Sequence, residues 1–150
     1  MPDLEIYRRR LPHWRVDGAT YFVTWRLDAS VPDLHAAERG QILSALLHFN
    51  GIRYELYAAV VMNDHVHALV EPAPRFPLED IVHSWKSFTA HQFRKSGRTG
   101  RIWQPEYWDR AIRNELELDE KLAYIASNPF QRWPGIDGYP WIWIAPEGTG

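Results

Sequence analysis

Apolar and polar positions alternate from Tyr21 to Leu27, with Tyr21, Val23, Trp25 and Leu27 facing one way and Phe22, Thr24 and Arg26 the other. A period of two in a run rich in aromatic and β-branched residues predicts a first strand. The period then lengthens: between His35 and Asn50 the residues Leu43, Leu46 and Leu47 recur at helical spacing, and Asn50-Gly51 supplies a stop. Arg53 to Val61 reads as a second strand and His65 to Val70 as its antiparallel return, because Met62, Asn63 and Asp64 suit a tight turn. Past Pro72, Pro74 and Pro77, the positions Ile81, Val82, Trp85 and Phe88 predict a helix over Leu78 to Lys95, with Glu79 and Asp80 at the positive end of its dipole. Ser96 to Gly100 reads as a mobile linker and Glu106 to Arg113 as a fourth strand. Glu115 to Ser127 predicts a last helix closed by Asn128-Pro129, since the residue before a proline is pushed out of the α region.

The order β-α-β-β-α-β-α predicts an α+β fold, a ferredoxin-like plait in which a four-stranded antiparallel sheet carries helices on one face and leaves the other open. The 150 residues fit one domain over 1–150, with a basic arm over 1–18 and an irregular tail over 133–150. No charged-then-apolar leader and no run near 18 apolar residues is present in the sequence, so neither secretion nor a membrane span is expected. With no cysteine, disulfides, thiolate zinc sites and thiol catalysis are excluded together.

Net charge is −2, which argues against a generic basic nucleic-acid coat, but the charge is uneven. Lys86, Arg94, Lys95, Arg98, Arg101, Arg110 and Arg113 face only Glu106 and Asp109 between His83 and Arg113, and Glu115, Glu117, Asp119 and Glu120 follow at once. A second cluster, Arg8, Arg9, Arg10 and Arg15, is interleaved with Tyr7, His13 and Trp14, a mixture that suits phosphates and stacked bases as well as a plain solvated arm. Of the eight tryptophans, Trp14, Trp85, Trp103 and Trp108 lie within or beside these stretches. Each fits a core position or a stacking platform for an unpaired base.

Val60 to Val70, VVMNDHVHALV, places two histidines at i and i+2 inside an apolar run. On a strand His65 and His67 project from one face, roughly 6.7 Å apart along the chain, while Val66 points the other way. Such a pair can hold a metal ion or be two ordinary strand histidines. In AYIASNP, Tyr124 and Asn128 are four residues apart and share a helix face. A packed tyrosine with a capping asparagine explains that pair as well as chemistry does.

Read together, HVH after a hairpin, WQPEYWDRAIRNE from Trp103 to Glu115, and AYIASNP from Ala123 to Pro129 resemble, in this order, the single-tyrosine HUH transposases, and within them the REP-associated tyrosine transposase branch. The resemblance spans about Tyr21 to Pro129. It implies that His65 and His67, with Asn128 as third ligand, hold a divalent ion, Mg²⁺ or Mn²⁺, and that Tyr124 is the nucleophile. Ligand type alone suggests Zn²⁺, Mn²⁺ or another transition ion for two imidazoles. A phenol ionises only near about pH 10, so it needs a nearby cation or base to act as a nucleophile. The resemblance further implies cleavage of single-stranded DNA to a 5′-phosphotyrosine and a free 3′-hydroxyl, which later attacks the tyrosyl ester and rejoins the strand without ATP. The implied substrate carries a short hairpin, and Arg8, Arg9, Arg10, Trp14, Lys86, Arg94, Lys95, Arg110 and Arg113 are the candidates to hold it. A monomer or homodimer in a bacterial cytoplasm is expected. The chain departs from the family where a Pro-Asn pair usually precedes the first histidine, since Asn63-Asp64 stands there and sets a carboxylate beside His65.

Two other classes meet part of the pattern. A non-catalytic nucleic-acid binding module would use a ferredoxin-like sheet without chemistry, and a histidine-metal phosphodiesterase would use an activated water without a covalent intermediate.

Overall fold

Alternation along the strands divides the molecule into two apolar layers, one on each side of a single sheet. The computed structural model describes residues 18–146, so Arg8, Arg9, Arg10 and Trp14 lie outside the described residues. In chain order the elements are β1 (Tyr21–Arg26), α1 (Ala36–His48), β2 (Tyr54–Val61), β3 (His65–Pro72), α2 (Leu78–Lys95), β4 (Trp108–Ala111), α3 (Glu115–Arg132) and β5 (Ile142–Ile144). The strands run β4-β1-β3-β2-β5, every neighbour antiparallel.

Tyr21, Val23 and Trp25 of β1 and Val66, Ala68 and Val70 of β3 face α1 and α2, where they meet Ile42, Leu46, Ile81, Val82, Trp85 and Phe93 in the main core. Two of the buried indoles in this layer find partners, whereas Trp25 Nε1 has none among the described residues. Trp85 Nε1 donates to the Tyr54 hydroxyl (3.0 Å), which donates to the Leu46 carbonyl (2.6 Å), and Trp103 Nε1 donates to Thr89 Oγ1 (3.0 Å). The opposite face is covered by α3. Ile125 packs there on Ala58, Val60, Met62 and Leu69, flanked by Leu118, Leu122 and Trp133.

Four expectations are corrected. The second sheet face is covered by α3 and not left open. The sheet has five strands, because Ile142–Ile144 in the tail pairs with Ala58 to Val60 of β2. Three residues are too few to show an alternation, and what fixes them is long-range: the Tyr139 hydroxyl donates to the Val61 carbonyl (2.6 Å) and Val61 N donates to the Trp141 carbonyl (2.9 Å). Helix α3 continues through Pro129 to Arg132 instead of closing at Asn128. Leu118, Leu122, Ile125 and Pro129 form one apolar stripe at helical spacing, and docking that stripe outweighs a local cost of about 3 kcal/mol for an interior proline. The segment Ser96 to Gly100 is anchored, since Arg98 donates to Glu38 Oε2 (2.6 Å) and Oε1 (2.8 Å) and to the carbonyls of Pro32 and Asp33 (2.8 Å each). Among the described residues no helix is long and apolar enough to cross a membrane.

Candidate active site

The tight turn at Asn63-Asp64 launches β3 so that His65 and His67 point toward α3. Their ring centroids are 4.7 Å apart. Each imidazole is held from outside. Across the β1–β3 pairing His67 faces Thr24, and Thr24 Oγ1 lies 2.7 Å from His67 Nδ1. Asp64 Oδ1 lies 2.7 Å from His65 Nδ1. In the tautomers where both Nδ1–H groups donate to these oxygens, both Nε2 lone pairs are left for a ligand. His67 Nε2 is buried and has no hydrogen-bond partner among the described residues.

Electrostatics keep these rings neutral. Burial pushes the His67 imidazole down to about 3, with the charges of His65, Arg26 and Lys121 acting the same way. Burial also lowers His65, although the neighbouring Asp64 carboxylate opposes it. A neutral ring with a bare, desolvated nitrogen is the form that ligates a metal, so the pair fits a divalent ion. Among the described residues no cluster of three or more His, Cys, Asp or Glu side chains that could hold a metal ion is present.

Helix α3 crosses this face and delivers Tyr124. Its ring centroid is 5.3 Å from that of His67 at an angle of 67°, and 5.9 Å from that of Phe22. Phe22 stacks on His67 at 5.2 Å, so the three rings form one cluster. Tyr124 is 44% exposed, which keeps it accessible to a substrate. Asn128, one turn further along α3, is partly buried, and Lys121, one turn earlier, sets Nζ 5.0 Å from the Phe22 ring.

The remaining predicted residues are dispersed. Lys86 Nζ donates to the carbonyls of Gln104 (2.7 Å), Pro105 (3.2 Å) and Glu106 (3.3 Å), fastening the segment before β4. Arg94 donates to the Gly100 carbonyl (3.1 Å), and Lys95 is exposed at the end of α2. Arg110 pairs with Glu117 at 3.4 Å, and the same carboxylate accepts from the Arg113 backbone N–H at 2.8 Å. Trp85 and Trp103 are core residues, 3% and 6% exposed. Sequence reasoning overlooked Thr24, Phe22 and Lys121. The signal for Lys121 was present, since positions 121, 124 and 128 share a helix face, whereas Thr24 and Phe22 join the site only through strand register.

A family model described as Transposase IS200 like matches residues 38–128. The REP-associated tyrosine transposase of Escherichia coli (strain K12) is 28% identical over 124 residues, covering 82% of this chain and 71% of that protein. The solved structure of a REP-associated tyrosine transposase bound to a REP hairpin superposes with a TM-score of 0.68 at 23% identity, covering 89% of both chains.

Proposed function

This chain belongs to the IS200-like transposase family, and from that premise we propose that it cuts and rejoins hairpin-bearing single-stranded DNA through a covalent bond to Tyr124. The observation that carries the reading is the meeting of the Tyr124 ring, 44% exposed, with the buried His67 ring, 5.3 Å apart. Residues from two distant elements, 57 positions apart in sequence, converge there. A hairpin substrate is supported by the related structure, whose protein is bound to a REP hairpin.

Tyr124 Oη attacks the scissile phosphorus, forming a P–Oη bond as the P–O3′ bond breaks. The phenolic proton leaves to solvent, the departing 3′ oxygen takes up a proton, and the products are a 5′-phosphotyrosine and a free 3′-hydroxyl. In the return step a 3′-hydroxyl displaces the phenolate, a better leaving group than an alkoxide, so no ATP enters. His65 and His67, with Asn128 as third donor, would hold Mg²⁺ or Mn²⁺. When bound, that ion supplies Lewis-acid stabilisation of the phosphate charge. Thr24 and Asp64 fix the tautomer and direction of the two rings, and Phe22 keeps His67 dry on one side. Lys121 adds positive charge beside Phe22 and His67.

Hairpin oligonucleotides labelled at either end, incubated with Mn²⁺ and run on denaturing gels, test this. The 3′ label is expected to migrate with the protein and the 5′ label on a shortened free strand. Two free fragments would instead favour a phosphodiesterase, and uncut DNA a binding module.

A further inference from the structure

Of the four tryptophans beside the basic stretches, Trp108 alone among the described residues is left at the surface, 42% exposed and outside both apolar clusters. Its place is set by register. Trp108 on β4 pairs with Thr24 on β1, and Thr24 pairs with His67 on β3, so the three side chains stand in one row on one face of the sheet. Adjacent strands are about 4.8 Å apart, which puts the indole two strands, or about 10 Å, from the histidine pair. Two residues along β1 from Thr24, Arg26 pairs with His65 on the same face. Its side chain is exposed and forms no ion pair with the described residues. Arg26 also lines, with Asp28, Asp33 and Asp64, a cavity of about 240 Å³, and these carboxylates disfavour a phosphate inside it.

We propose that Trp108 and Arg26 form a nucleotide subsite flanking His67 and His65, in which the indole stacks on the unpaired base next to the scissile phosphate and the guanidinium holds an adjacent phosphate. The subsite rests on the reading of the chain as a single-strand DNA transposase. A face of this kind selects an unpaired nucleotide because a base inside a duplex has no free ring face to offer, and stacking is tolerant of base identity.

Binding is measured in a Tyr124→Phe background, which cannot cut, against oligonucleotides carrying one abasic nucleotide at successive positions around the cleavage point. Trp108→Ala is expected to weaken the unmodified strand about 10-fold or more. One abasic position should produce a similar loss in the parent, and at that position alone the two losses should not multiply. Trp108→Phe should restore most of the affinity and Trp108→Leu little, a contrast that holds even if the alanine variant folds poorly. Arg26→Ala should reduce the slope of log affinity against log salt by about 0.7, the value for one single-strand phosphate, and Arg26→Lys should keep it. Losses that multiply at every position, or an unchanged affinity, overturn the stacking role, and an unchanged salt slope overturns the role of Arg26. Adduct formation by the chain with Tyr124 intact is scored separately, so a missing subsite and a missing transposase activity give different results.

Discussion

Among the described residues the side-chain hydrogen bond of Thr24 is to His67 Nδ1. Thr24→Val keeps the shape and removes the oxygen, so a buried ring N–H loses its acceptor, at a cost of about 1–3 kcal/mol. The freed ring can also flip its tautomer and move the proton to Nε2, the nitrogen that would face the metal. Mn²⁺ affinity, followed by calorimetric titration, is therefore expected to fall 10- to 100-fold, roughly the effect of losing an outer-sphere partner. Affinity equal to the parent would mean that the hydroxyl does not set the tautomer. Tyr124→Phe is the complementary case: its hydroxyl lies on a half-exposed ring whose contacts are through the ring face and edge. Stability should change by no more than about 0.5 kcal/mol, as for an ordinary surface substitution. Covalent adduct should vanish, as denaturing electrophoresis would reveal.

At the scale of elements, the segment between α2 and β4 is held to the start of α1 by one ion pair. Glu38 is 2% exposed and caps α1 together with His35, whose backbone N–H donates to Glu38 Oε1 at 3.0 Å. Burial raises the Glu38 carboxyl, but the hydrogen bonds from Arg98 and from the His35 backbone overcome that, and its pKa is held below the ordinary range. A carboxyl depressed in the folded state contributes stability that is full above its unfolded pKa and is lost as pH falls through the folded value. Arg98→Ala should thus cost about 3 kcal/mol near neutral pH, because it strands a buried carboxylate. Urea unfolding between about pH 6 and 3 should show a parent that weakens with acid and a variant whose weakening is flattened or reversed. This interaction was invisible in the sequence, where residues 38 and 98 are 60 apart and Gly97 and Gly100 suggested a loose linker. The same separation explains what was legible. Helix α2 was readable from Leu78 to Lys95 because its stripe and its acidic first turn are local, and HVH was readable as a strand because its alternation is local. Strand β5 and the continuation of α3 through Pro129 depend on partners far along the chain, and so does the joining of Thr24 to His67.

For the whole molecule, the two apolar layers carry different loads. The side with α1 and α2 holds most of the buried apolar residues, including Trp25, Trp85 and Phe93, whereas the side with α3 rests on a smaller cluster around Ile125. Stability is therefore concentrated opposite the candidate site, and the helix that bears Tyr124 is fastened by the weaker layer. Ile42 in α1 and Ile125 in α3 are both fully buried, so Ile42→Ala and Ile125→Ala should each cost about 2–5 kcal/mol of global stability. Their effects on chemistry should diverge. A cavity under Ile125 lets α3 shift against the sheet, and a displacement near 1 Å of a reacting atom costs on the order of 100-fold in rate. With both variants held under conditions where each remains folded by circular dichroism, adduct formation should slow sharply in Ile125→Ala and little in Ile42→Ala. Amide exchange should quicken across Glu115–Arg132 in the first and across Ala36–His48 in the second. Equal loss of rate in the two would mean that Tyr124 is positioned by the molecule as a whole and not by the packing beneath its own helix.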